Sequence, residues 1–495
     1  MVLYSYKPEA QAKVFVYYQH YYYSLRLRFR LVNYRSVLFS SSTFYLPKPR
    51  RQGYYYFVIK YPTPSGIILM SEEQLGSYVT RRDFIKAGAA CATSLAISEA
   101  VLANPADATP EKKTAPITKP YLTPGKDFGD VSRGDPKPHK LIGAAQAEAR
   151  LTPDTWRLEI TADPFVEEPH TKVPATLTKS LTLADGTALD FKQLLELGKK
   201  HEVHFLKAMQ CLNIDTPLGQ GLWTGVPLRE VLKLCGKMNN VRRIYYWGFH
   251  NNDVKQVFKS SVTYTNAMET PPNELPVFIA YKLNGEAISP ERGGPVRMIV
   301  PWSHGYKSIK WLQHIFVTND ARNNDTYSTG NNDPESFLKS AAYMDKSPDG
   351  KKFKAGDAVE ISGTVISGPS GVKRVEYWVR KVGDKPATLG DDAPELLQGP
   401  WIPCEMQEQP DWNNVFPEGV KANKVLGFDK NTGKALSWPL RYSMCSYAAT
   451  IKGLKIGQYE VRARSVDLND FAQPEPRPTQ KSGRNGIQVR RFEIV

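Results

Sequence analysis

Cysteine is scarce in this chain: there are five in 495 residues. None is spaced as a CxxC zinc ribbon, a CxxCH haem attachment site or an iron–sulfur run, which excludes those centres. Beyond residue 108 only Cys211, Cys235, Cys404 and Cys445 remain, too few and too far apart for a disulfide framework. Acidic residues are nearly missing from positions 1–69, where ten Lys/Arg face Glu9 alone, so nine of the fifteen net positive charges lie there. The basic residues elsewhere are scattered, with no aromatic stripe between them, so nucleic acid is not an expected partner. A long apolar run is also lacking. The Ala-rich stretch 87–103 contains Ser94, Ser98 and Glu99, too polar for a stable membrane span.

What is present divides the chain. Residues 1–69 hold 13 of the 26 tyrosines without helical or strand periodicity, and read as a non-native or mis-called extension ahead of a true start at Met70. From Met70 a polar stretch leads to Thr80-Arg81-Arg82-Asp83-Phe84, a weakly apolar segment and Ala106-Asp107-Ala108. This looks like a twin-arginine export signal over 70–108. That route carries folded proteins, often with a cofactor already inserted, so a periplasmic, cofactor-bearing protein is expected. Residues 109–140, with Pro110, Pro116, Pro120, Pro124, Pro136 and Pro138, read as a linker that wraps rather than folds.

Residues 141–335 mix strands (156–161, 243–248, 277–281, 296–301) with short helices (190–199, 228–235) without regular alternation, which predicts α+β. From 340 to 495 strands dominate (358–366, 372–381, 447–451, 458–466, 487–494), separated by Gly/Pro/Asp turns. That spacing predicts an immunoglobulin-like β-sandwich.

Two motifs fail on physical grounds. His201 and His204 are three apart on an expected strand, so their imidazoles face opposite sides and cannot share a metal. Asp127-Phe128-Gly129 lies in the Pro-rich linker with no glycine-rich loop to make it a kinase site.

Cys211 closes the strand-like run Val203–Gln210 and opens a Gly/Pro-punctuated loop. A lone cysteine is usually a small buried apolar group, but a thiolate at a strand end beside small residues also suits a soft metal. The stretch 291–312 places Arg292, Arg297, His304, Lys307, Ser308 and Lys310 among glycines at strand ends, which suits an anionic, phosphate-bearing ligand.

Taken together, these segments resemble the sulfite-oxidase family of molybdenum enzymes. The likeness runs through 151–160, Met209-Gln210-Cys211, 222–231, 278–285, 293–301 and Ser308-Ile309-Lys310-Trp311-Leu312, and continues past 340 into Asp467–Pro474 and Ser482–Gly486. It implies one molybdopterin with one molybdenum per chain, ligated by Cys211. It also implies pterin and phosphate contacts from His250, Arg292, Arg297, Lys307, Ser308 and Lys310, and an active-site tyrosine at Tyr327. The expected chemistry is two-electron oxygen-atom transfer on a small-molecule substrate (a sulfur oxyanion, a sulfoxide or similar). A separate carrier such as a cytochrome c would take the electrons, in a homodimer paired through the sandwich.

The pattern also departs from the family. The Arg-Asn-His motif of sulfite oxidases is replaced by Leu141-Ile-Gly-Ala-Ala-Gln-Ala, and Leu212 follows the cysteine where a small residue is usual. These changes weigh against sulfite itself. Two rival readings are a sulfoxide or N-oxide reductase on the same fold and a non-catalytic secreted binding protein.

Overall fold

Residues that point alternately inward and outward build the first sheet. Strand Arg157–Ala162 turns Leu158 and Ile160 inward, and its parallel neighbour Leu312–Thr318 does the same with Ile315 and Val317. Arg243–Gly248 and Lys259–Thr263 continue antiparallel on one side, and Leu189–Asp190 on the other. The inward rows meet the helix Phe191–His201 and the helix Leu228–Leu232 in one core that includes Trp156, Val231 and Leu232. The longer helix is fixed at its start by a capping box. Asp190 accepts from the Gln193 amide while the Gln193 side chain accepts from the Asp190 amide. Lys199, Lys200 and His201 occupy its last turn, where the helix dipole favours positive charge.

These coordinates are a computed structural model that describes residues 119–495 except 212–213, 324, 327–332, 334, 384–387 and 475–484. The expected extension, the export signal, Leu212 and Tyr327 therefore lie outside the described residues.

A second sheet lies behind the first core. Its order is Glu286–Ala287, Phe278–Leu283, Gly219–Pro227 and Val203–Met209, with Arg297–Ile299 also paired to Phe278–Leu283. All nine residues of Gly219–Pro227 are buried, because both faces are covered. Val226 and Ile279 join the first core, while Trp223, Phe278 and Ala280 join a second one. That second core also takes Leu338, Trp412, Phe416, Val425 and Tyr442, so the chain after 335 packs directly on the second sheet.

Residues 341–494 supply two further sheets. One runs Ala341–Met344, Val359–Ile366, Met444–Ile451, Glu405–Met406. The other runs Lys352–Phe353, Val489–Ile494, Gly457–Asp467, Val372–Val382, Ile402–Pro403. Val359, Ile361 and Tyr447 from one sheet meet Val375, Val461 and Phe492 from the other, making a sandwich. The architecture is α+β, with the sandwich following the mixed region. His201 is the last residue of a helix rather than part of a strand. It lies 4.0 Å from Glu230, whereas His204 faces Glu202 at 3.4 Å and Thr224 at 2.8 Å.

Gly225 marks a register shift between Gly219–Pro227 and Phe278–Leu283, and a Cβ there would fall on the Ile279 carbonyl oxygen. Gly225→Ala is expected to cost about 3 kcal/mol by forcing backbone movement in a doubly covered strand, read as a lower urea midpoint.

Candidate functional site

Strand ends and loops converge on a cleft of about 290 Å³. The strand Val203–Met209 delivers Met209 and, just beyond it, Cys211; the Gly219–Pro227 strand delivers Trp223. Gln210 pins the cysteine turn from beneath. Its side-chain amide nitrogen donates to the carbonyls of Cys211 (3.2 Å) and Ile214 (2.8 Å), and its backbone carbonyl accepts from Gly305 N at 2.7 Å. Cys211 is half-buried, and none of the four described cysteines forms a disulfide.

The cationic wall comes from two loops joined by Arg297. This buried guanidinium donates to the Arg292 carbonyl (2.7 Å) and the Ser308 carbonyl (2.6 Å) and lies 4.9 Å from the centre of the Trp223 ring. Burial and the neighbouring Arg292 push it down to about 9, so it stays charged at neutral pH. Gly293, at φ +97°, ends the turn Pro290–Arg292 in the left-handed region and leaves room for Lys310, whose Cβ would otherwise collide with its own. Lys310 donates to Asp130 Oδ1 (2.9 Å), Ser132 Oγ (2.7 Å) and the Glu291 carbonyl (2.6 Å). Burial, then Arg297, push its ammonium down to about 8 against the pull of Asp130. Asp130 itself is held well below the usual carboxylate range by Ser132 and Lys310, against the opposing effect of burial.

The cleft gathers Cys211, His250, Arg292, Arg297, Ser308 and Lys310 from the sequence-derived set. Lys307 is a correction. Its ammonium is fully buried away from the cleft and bonds Asp325 Oδ2 (2.8 Å) and the Ser261 carbonyl (2.7 Å), so it is structural rather than ligand-facing. His304 is buried and does not line the cleft either; burial, then Lys207, push its imidazole down to about 3. Sequence reasoning missed the wrapping segment. Phe128, Gly129, Ser132 and Arg133 form one wall, and Arg292 reaches the Gly129 carbonyl at 2.8 Å. The signal was present in Asp127–Gly134, where two glycines, a serine and an arginine interrupt the prolines.

The donor set fits a flat, phosphate-bearing group. Three buried donors on cleft-lining side chains, Arg292 Nε, Arg297 Nε and Trp223 Nε1, have no hydrogen-bond partner in the protein. Comparison with known proteins decides which group. The model for the oxidoreductase molybdopterin binding domain matches residues 145–326. This region is a molybdopterin-binding oxidoreductase domain of the sulfite oxidase and nitrate reductase family.

Among its relatives, nitrate reductase [NADH] of Spinacia oleracea is 38% identical over 179 residues, covering 34% of this chain and 18% of that protein. Nitrate reductase [NAD(P)H] of Betula pendula is 38% identical over 108 residues, covering 21% and 12%. The chain thus spans under a fifth of the length of these two curated relatives. Among solved structures, the sulfane dehydrogenase SoxCD from Paracoccus pantotrophus aligns with a TM-score of 0.44 and 16% identity, over 77% of this chain and 92% of that one. The molybdopterin-binding domain contains the cleft's Cys211, both arginines and Lys310, while the wrapping segment 128–134 precedes it.

Two outcomes test this geometry. Lys307→Met should cost roughly 3–5 kcal/mol by stranding Asp325 in the interior, and Lys307→Met with Asp325→Leu should recover much of it in thermal melts. In cofactor-free protein, inorganic phosphate binding should weaken several-fold as pH rises through about 8, where Lys310 loses its charge. Lys310→Arg should remove that step in a calorimetric titration.

Proposed function

We propose that this protein is an exported, periplasmic molybdenum oxidoreductase of the sulfite-oxidase type, with Cys211 as the protein ligand to the metal. The observation that carries the reading is the convergence of Cys211 with Arg292, Arg297 and Lys310 around unpaired buried donors in one cleft. Among the described residues no group of three His, Cys, Asp or Glu side chains could hold a metal alone, so a metal at Cys211 needs ligands brought by the cofactor. Molybdopterin, when bound, supplies a two-electron centre for oxygen-atom transfer.

The chain's own residues bind, orient and exclude water. Arg292, Arg297, Ser308 and Lys310 would hold the phosphate and pterin edge. Gln210 fixes the carbonyls on either side of the cysteine turn and so sets where the thiolate stands. Phe249, Phe258 and Ile214 line the cleft, and Arg133, 4.8 Å above the Phe258 ring, adds a cation to Arg292, Arg297 and Lys310. With the Arg-Asn-His motif missing, Arg133 and His250 are the candidates to orient a polar substrate. Tyr327 is retained as the candidate proton-handling phenol. Electrons leave to a separate carrier, a cytochrome c in the simplest case, and the immunoglobulin-like sandwich pairs two copies.

A second reading runs the chemistry in the reductive direction, on a sulfoxide or N-oxide. It is favoured by the nitrate reductases among the relatives and by the loss of the expected sulfite-binding motif.

Elemental analysis of protein made with molybdopterin supply should give about one molybdenum per chain, as one molybdopterin site requires. A metal-free product would sink the enzyme reading. Cys211→Ser should lower turnover by at least about a hundredfold while pterin, released and measured by fluorescence, stays near the wild-type level, because the phosphate contacts remain. Normal turnover in that variant would show that Cys211 is not the ligand. Reduced viologen with a panel of S- and N-oxides, against sulfite with ferricyanide, sets the direction.

A further inference from the structure

The outer face of the first sheet is aromatic where a solvent-facing sheet surface is ordinarily polar. Trp247 stands in register opposite His314, and Tyr245 opposite Phe316. Four rings therefore share the face turned away from the core residues Ile244, Tyr246, Ile315 and Val317. The Trp247 and His314 rings stack at 5.1 Å with 14° between their planes, and Phe316 lies 6.4 Å from Trp247. Burial, against the pull of Glu159, pushes His314 down to about 4, so the platform carries a neutral imidazole at neutral pH. Trp247, His314 and Phe316 are only half-buried, and the groove above them encloses about 480 Å³, the size of a small-molecule site.

The rim of this groove is chemically uneven. Its two carboxylates are already engaged: Asp163 accepts from Thr318 Oγ1 (2.9 Å) and the Phe165 amide (3.0 Å), and Asp320 from Arg322 (2.6 Å). Lys259 and His250 remain as rim donors, with the Lys259 ammonium 5.2 Å from the Tyr245 ring centre. His250 lines both this groove and the cofactor cleft, so the two spaces adjoin. An aromatic floor with donors along one side fits a flat ring that carries acceptor oxygens on its edge. A pyranose, which is puckered and presents hydroxyl donors, would meet carboxylates that are already satisfied.

We propose that this groove binds a flat conjugated ring bearing carbonyl oxygens, of the quinone class, extending the Trp247–His314 stack with an oxygen toward Lys259 or His250. This rests on the reading of the adjoining cleft as a molybdenum oxidoreductase site, and goes beyond it by giving the electron partner a small-molecule form with its own place on the domain.

The test is calorimetric binding of duroquinone, which lacks a free ring position for thiol attack, to the holoprotein. Saturable binding is expected, weakened about tenfold or more in His314→Ala and in Trp247→Ala, since each breaks the stacked pair that the ring would extend. Cyclohexane-1,4-dione, with the same carbonyls on a puckered ring, should not bind. Lys259→Met should weaken duroquinone several-fold while leaving the melting temperature unchanged, which guards against a folding defect in the ring variants. Cys211→Ser should bind duroquinone like wild type. Equal binding of the dione, or undiminished duroquinone binding in both ring variants, would overturn the proposal. Duroquinone binding by a protein that takes up no molybdenum would leave the groove standing and remove the enzyme reading instead.

Discussion

The cleft depends on one buried guanidinium. Arg297 spans the carbonyls of Arg292 and Ser308, and so ties the turn after Ser289 to the loop before Leu312. The first loop joins two strands that both pair with Phe278–Leu283, the second leads from Arg297–Ile299 across to Leu312–Thr318 of the first sheet, and Arg297–Ile299 is the piece they share. A lysine there would bring a rotatable ammonium in place of a rigid planar fork, and so would not fix the two loops by parallel donors from one plane. With Arg297 in place the Arg292 and Lys310 side chains are held near one another, and the cationic wall becomes a fixed feature rather than an average over mobile loops.

The wall has to be closed from the other side, and the wrapping segment does that. Its Thr123 and Gly129 amides donate to the carbonyls of Gln220 and Leu218, adding a partial edge to the Gly219–Pro227 strand. Gln220 returns the contact, donating to the Tyr121 carbonyl at 2.8 Å and the Met444 carbonyl at 3.0 Å. One buried amide therefore links the wrap, the second sheet and the sandwich. The segment carries no strand or α-helix of its own, yet it sets the position of Asp130 against Lys310.

How much of this was legible follows from the range of the interactions. Periodicity located five of the nine strands described after 340 to within three residues and gave the helix 190–199, which runs Phe191–His201 in the structure. Cys211 and the loop cations could be read because their neighbours carry a local pattern of glycines and strand ends. Lys307 misled for a local reason: three residues from Lys310, it looks equivalent in sequence, but the chain turns between them and points it at Asp325. For Asp130 and Arg133 the sequence held only the glycine- and serine-broken run 127–134, which marks a loop but not what the loop meets. They meet the cleft through contacts up to 180 residues away along the chain, and nothing in the linker's composition encodes such a distance. The aromatic platform was hidden for a similar reason, since Trp247 and His314 face each other only once two distant strands pair.

Electrostatics then explains why the cleft and its cofactor belong together. Arg292, Arg297 and Lys310 crowd one wall with Asp130 as their carboxylate counterpart, and their mutual repulsion adds to burial in lowering Arg297 and Lys310. Charges gathered this way cost the folded chain free energy that a neutral wall would not. An anionic ligand reverses the sign, because it pairs with the cations and meets the unpartnered Arg292, Arg297 and Trp223 donors at once. Whatever binds there and not to the unfolded chain stabilises the protein by an amount that grows with the logarithm of its concentration over its dissociation constant. The crowding of like charges is thus relieved by the group that gives the site its chemistry, which couples cofactor retention to the stability of the loops that Arg297 holds.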